Sequence, residues 1–273
     1  MAERIIVLSP LHNGGASTVA TLIAHNAACK GRSSVLCYTA ANSPIPDYLG
    51  IEDTTDPTRA ITQVTRLIDV GGITDAEILQ YTFPYDKRHP AYMLNTGDPT
   101  LDEISRKQVI KFIFSHITTD VVICDVSEDI QDTVAQELVE EADGVIIVIQ
   151  PSEKYYARTR AWLQMDCLTN HKNVFILVNT YHEVIGSVRE LANAIGIKAV
   201  SLLKMHYNPW IAYCSQHGEL ANIVRTSIMS DPRTVNLTND FVELDQAIRA
   251  IILQAPNRDA GTIEKIKKLM HID

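Results

Sequence analysis

The sequence contains no C-x-x-C pair, no H-E-x-x-H or similar histidine pair, and no long apolar run. Each absence closes off a class of protein. The five cysteines (Cys29, Cys37, Cys124, Cys167, Cys214) are odd in number and scattered, which suits a reducing compartment rather than a disulfide framework. Nine dispersed histidines without ligand spacing argue against a metal centre built on them. A membrane-crossing helix needs roughly 20 apolar residues in a row, and none is present. The N-terminus opens almost at once into a strand pattern instead of a signal-peptide core, so a cytoplasmic location is expected. Positive charge is also short. Against 33 acidic residues stand 24 basic ones, a net −9, which argues against DNA binding over the surface as a whole and leaves room only for a local basic patch.

What is present is an alternation. Short apolar, β-branched runs at 5–9, 34–38, 91–95, 121–125, 144–149, 174–179 and 198–202 read as strands. Several are continuously apolar (VVIC, GVIIVI, VFILV), the pattern of strands buried on both faces of a parallel sheet. Amphipathic helical patterns at 17–29, 102–116, 130–142, 153–169, 182–194 and 240–253 fill the gaps, with shorter ones at 58–69 and 74–81 in the irregular, proline-bearing stretch 42–90. Alternating strand and helix predicts α/β architecture: a doubly wound, mostly parallel sheet with helices on both faces. No Pro/Gly/Ser-rich linker or internal repeat divides the chain, so residues 1–273 are expected to form a single domain.

Ligands of such sheets lie at the carboxyl ends of the strands, where residues 9–18, 125–132 and 179–181 would converge. The first strand, a glycine-bearing turn and a helix run through Pro10, Leu11, His12, Asn13, Gly14, Gly15, Ala16, Ser17 and Thr18. A turn of this kind aims backbone N–H groups and a helix's positive end at one point, which is how a phosphate is cradled. The pattern G-x-x-x-x-G-K-[ST] places a lysine before the hydroxyl residue, and here that position is Ala16. Asp125, closing an apolar strand, is placed to organise Mg²⁺, or alternatively to cap a turn. Ser17 and Thr18 can supply a metal-ligating hydroxyl or simply start a helix. Asn179, at a strand end, can read a purine edge or cap a turn.

Set side by side, VVICDVSEDIQDTVAQELVEEADGVIIVIQPS, VFILVNTYHEVIGSVRELANAIGIKAV and LLKMHYNPWIAYCSQHGELANIV resemble successive units of the MinD/ParA superfamily of deviant Walker A ATPases. The resemblance covers nearly the whole chain. It implies ATP and Mg²⁺ held by Asn13, Gly14, Gly15, Ala16, Ser17 and Thr18, with Ser17 and Asp125 on the metal and Asn179 against adenine. It also implies a homodimer and a protein partner in a larger assembly. The departures fall at charged positions. The family reads K-G-G-x-x-K-[ST], and both lysines are replaced, by Leu11 and Ala16. The acidic D-x-D ending the family's second strand is replaced by Thr39 and Ala41 in VLCYTAAN. Altered loops also occur in TadZ/CpaE-like members, which mark the assembly site of type IV-like pili. Many of those carry an N-terminal receiver-like domain not seen in this sequence.

The expectation is therefore a hydrolysis-deficient, dimerising scaffold that positions a membrane-associated or partitioning machine. The alternatives are an active ATPase with an atypical loop and a phosphate or nucleotide binder without turnover. A site with no cofactor stands beside one holding ATP and Mg²⁺. At 261–273, Ile263, Ile266, Leu269 and Met270 share a helical face beside Lys265, Lys267 and Lys268. That segment reads as a docked last helix or as an amphipathic helix making weak peripheral contact with the inner face of a membrane.

Overall fold

A computed structural model describes residues 2–52, 59, 61–69, 74–96 and 102–254. The expected helix at 261–273 lies outside them. Among the described residues the strands are β1 (Glu3–Leu8), β2 (Ser34–Tyr38), β3 (Phe83–Pro84), β4 (Ala91–Met93), β5 (Val121–Val126), β6 (Gly144–Ile149), β7 (Val174–Tyr181) and β8 (Leu202–His206). The helices are α1 (Ala16–Cys29), α2 (Ile45–Tyr48), α3 (Ile61–Asp69), α4 (Asp75–Ile78), α5 (Glu103–His116), α6 (Thr133–Glu141), α7 (Glu153–Trp162), α8 (Asp166–Thr169), α9 (Val188–Ile195), α10 (Pro209–Gln216), α11 (Leu220–Ile228) and α12 (Thr238–Gln254).

The strands form one sheet in the order β3-β4-β2-β5-β1-β6-β7-β8, parallel throughout except for the short antiparallel pairing of β3 with β4. The continuous apolar runs behave as expected. In β1, Ile6 and Leu8 join one core while Ile5 and Val7 join the other. Helices α3 to α9 cover the first face, and α1, α2, α10, α11 and α12 cover the second. β1 lies between β5 and β6, so the chain leaves its carboxyl end where the strand order reverses. In open α/β sheets that crevice is where ligands bind.

Several boundaries differ from the sequence reading, each for a local reason. Residues 198–202 are not a strand: Ala199–Ser201 form a 3₁₀ turn with Val200 exposed, and β8 begins at Leu202, whose neighbours Leu203 and Met205 are buried. The helix expected at 182–194 is split. Residues 183–185 form a 3₁₀ turn and Gly186 breaks it at φ 122°; Ser187 and Glu190 then build a reciprocal capping box that starts α9. Residues 153–169 form two helices, α7 and α8, and the one expected at 130–142 starts only after Asp132 caps it. In the irregular stretch α3 and α4 lie within the two expected helices, the second ending in 3₁₀ turns, and α2 and β3 are additional.

Candidate functional site

Alternation along β5 decides where Asp125 points. Val122, Cys124 and Val126 enter the core beneath α5 and α6, so Asp125 faces the opposite side, where α1 begins. Its strand neighbours in register are Val7 of β1 and Tyr38 of β2. There Ser17 Oγ donates to Asp125 Oδ2 at 2.6 Å. Burial pushes the Asp125 carboxyl up to about 6, opposed by the Ser17 hydrogen bond, while the Glu128 carboxylate raises it further. Asp125 does not end its strand, since pairing continues through Val126.

The loop between β1 and α1 is shaped by two glycines. At Gly15, φ is +91° and an added Cβ would lie 2.1 Å from Asn179 Nδ2. At Gly14 an added Cβ would lie 2.0 Å from Ser9 Oγ. Only glycine fits this combination of left-handed backbone and close approach. The start of α1 carries no side-chain cap and no acidic residue in its first turn, so its amides and positive end face the crevice uncompensated. Distant side chains pin the outer loop: Tyr155 Oη donates to the His12 carbonyl at 3.0 Å and Gln150 Nε2 to that of Asn13 at 2.8 Å.

Asn179 lies inside β7, which runs on to Tyr181 through an irregular register. Its Nδ2 donates to the Gly14 carbonyl at 3.2 Å and its Oδ1 accepts from the Thr180 N–H at 2.9 Å. It therefore braces the loop and caps its own turn at once.

Residues from Ser9 to Thr18, together with Asp125 to Asp129, line a cavity of about 590 Å³. A larger one of about 830 Å³ adjoins it, shares Thr18 and Tyr48, and reaches Asn179. The structure thus brings together Asn13, Gly14, Gly15, Ala16, Ser17, Thr18 and Asp125, with Asn179 on the loop's far side. Ser17 and Asp125 form an all-oxygen pair, the donor chemistry of Mg²⁺, which takes one or two protein oxygens and completes its shell from phosphates and water. The residues present fit that ion.

Of the four positions of missing charge, Thr39 is buried, Leu11 and Ala16 are half-buried and Ala41 is exposed. Leu11 packs against the core under α3 to α9, and Ala16 against the opposite core. Thr39 is buried and hydrogen-bonds Glu128, and its Oγ1 accepts from the Ser127 N–H at 2.9 Å. Glu128 was not singled out in the sequence: it follows β5 rather than β2, and only the fold carries its carboxylate to Thr39. Arg32 pairs with Glu3 and Arg160 with Glu153, and neither lines the cavity. Arg158 does line it, bound to Asp129.

No protein-family model matches the chain, and no curated protein matches it. Solved structures do. It is similar to a chain of the MinC:MinD cell division protein complex of Aquifex aeolicus (TM-score 0.67, 17% identity, 93% of this chain and 97% of that one). It is similar to a ParA family ATPase from Chlorobium tepidum TLS (TM-score 0.67, 14% identity, 90% and 98%). It is also similar to the septum site-determining protein MinD complexed with Mg-ADP from Pyrococcus horikoshii OT3 (TM-score 0.63, 15% identity, 89% and 94%). Near-complete coverage of both chains, with the glycine loop at the crevice between β5 and β6, gives this protein the fold of the MinD and ParA ATPases.

Proposed function

We propose that the chain is a hydrolysis-deficient nucleotide-binding scaffold that dimerises and positions a membrane-associated machine, of the pilus or secretion kind, or a partitioning machine. One observation carries this reading: the loop keeps its phosphate-cradling shape while uncharged, partly buried Leu11 and Ala16 line the cavity where the family's lysines would stand, each packed against one of the two cores. Phosphoryl transfer is catalysed almost wholly by positioned charge, and removing one such group costs on the order of 3 kcal/mol of transition-state stabilisation. With both lysines replaced, binding can survive on the loop amides and helix end where turnover cannot. The Mg-ADP complex of the similar MinD supports placing a nucleotide's phosphates between Gly15 and Asp125, with Ser17 and Asp125 as the Mg²⁺ ligands. The nucleoside would lie in the adjoining cavity near Asn179. Such a scaffold works in the cytoplasm and touches a membrane only peripherally. No helix among the described residues is long and apolar enough to cross one.

The test is ATP turnover beside binding. The reading expects Mg-ATP to bind with hydrolysis at the buffer rate. Turnover above background that disappears in Asp125→Ala would overturn it. A second reading, an active ATPase with an atypical loop, is favoured by Glu128, which lines the cavity and whose carboxylate accepts from the buried Thr39 hydroxyl. On that reading Glu128→Gln binds Mg-ATP but loses a measurable turnover.

A further inference from the structure

The cavity at the loop is short of positive charge. Asp125, Glu128 and Asp129 all line it, and among the described residues lining it Arg158 is the single arginine or lysine. An anion entering there meets three carboxylates; Lys107, outside the lining, faces Glu128 at 4.0 Å and is shared with Asp132, so no lysine is turned to the anion itself. Arg158 comes from α7, across the crevice from the loop, and its guanidinium Nη2 donates to Asp129 Oδ2 at 2.6 Å. Both side chains of this pair are about two-fifths exposed, so the contact is a weak surface pair that either partner can leave. One turn further along α7, Trp162 also lines the cavity; it is buried, and its indole N–H has no hydrogen-bond acceptor. Positions 158 and 162 are four apart and share a helical face. That face thus brings a cation to the cavity, with the buried Trp162 ring as its neighbour on the same helix.

We infer that Arg158 is the phosphate-binding cation of this site, taking from α7 the role left vacant at position 16. This rests on the nucleotide-binding reading above and specifies how the site holds its ligand. A guanidinium presents a planar fork of donors that matches two phosphate oxygens. Asp129 holds the fork at the cavity rim until the nucleotide's phosphates compete for it. The assignment is for binding: a cation delivered from α7 replaces attraction at the phosphates without restoring the lysine at the head of α1.

The test titrates ADP, pyrophosphate and adenosine into the full chain by calorimetry, for wild type, Arg158→Ala, Arg158→Lys and Asp129→Ala. Thermal melts confirm that each variant is folded, as expected for exposed side chains. Arg158→Ala should weaken ADP and pyrophosphate by about tenfold or more, with the difference shrinking at high salt. Adenosine binding should be unchanged, and Arg158→Lys should recover part of the loss. Asp129→Ala should tighten ADP, and that gain should shrink when combined with Arg158→Ala, leaving only the relief of one carboxylate's repulsion. Equal affinity of wild type and Arg158→Ala for ADP and pyrophosphate overturns the inference and leaves the nucleotide-binding reading standing. Absence of ADP and pyrophosphate binding by wild type overturns both.

Discussion

His25 lies fully buried on α1, and neither of its ring nitrogens makes a hydrogen bond. Nε2 is 3.4 Å from Asp86 Oδ2, and the rings of Tyr85 and His89 lie close by. Burial pulls its pKa down to about 4; Asp86 opposes this, while Arg225 and His89 add to it. The unfolded chain takes up this proton near pH 6.5 and the folded chain only near 4, so between those values the unfolded state binds more protons. The contribution is therefore fully present above pH 6.5 and is lost as pH falls toward 4, by about 3 kcal/mol at most. Urea unfolding at pH 7 and pH 4.5 checks this: the wild-type drop should exceed that of His25→Gln. Equal drops would remove His25 as the cause. At the loop, Gly15→Ala must hold an alanine at φ +91° with its Cβ against Asn179. The left-handed backbone alone costs roughly 1–2 kcal/mol, and the Asn179 brace on Gly14 must move as well. A lowered unfolding midpoint together with lost nucleotide binding is the expected result.

Among the elements, α6 depends on the residue that caps it. Asp132 accepts from the Val134 and Ala135 amides and receives a 2.8 Å hydrogen bond from Lys107 on α5, tying the two helices together. Asp132→Ala should lower stability by about 1–2 kcal/mol, the range for losing an N-cap, in a chemical denaturation series. A change within experimental error would show that water takes over both amides and that the cap adds no stability. Such caps also mark what the sequence made legible. The continuous apolar strands and the helix after the loop could be read because burial on two faces leaves an unmistakable pattern. The breaks could not be placed by periodicity, since apolar spacing runs through both Gly186 and the turn that parts α7 from α8. The capping box S-x-x-E at Ser187 was the one local signal that would have started α9 correctly.

For the molecule as a whole, the candidate site was legible in outline because its backbone is local: loop, helix start and strand-end acid follow from short motifs. Its electrostatics were not. Glu128 reaches Thr39, Arg158 reaches the loop cavity, and Tyr155 and Gln150 hold the loop carbonyls, all through contacts between residues far apart in sequence. Nor could the sequence tell that Leu11 and Ala16 pack against opposite cores while lining the cavity. That packing is the reason to expect a site that binds without turnover. The most direct measurement is a single-turnover experiment with the protein in excess over trace labelled Mg-ATP, reading bound and hydrolysed nucleotide from the same sample. The account predicts that the label is retained as intact ATP, with ADP forming at the rate seen in buffer. ADP forming faster than in buffer, and slowing to that rate in both Asp125→Ala and Glu128→Gln, would contradict it.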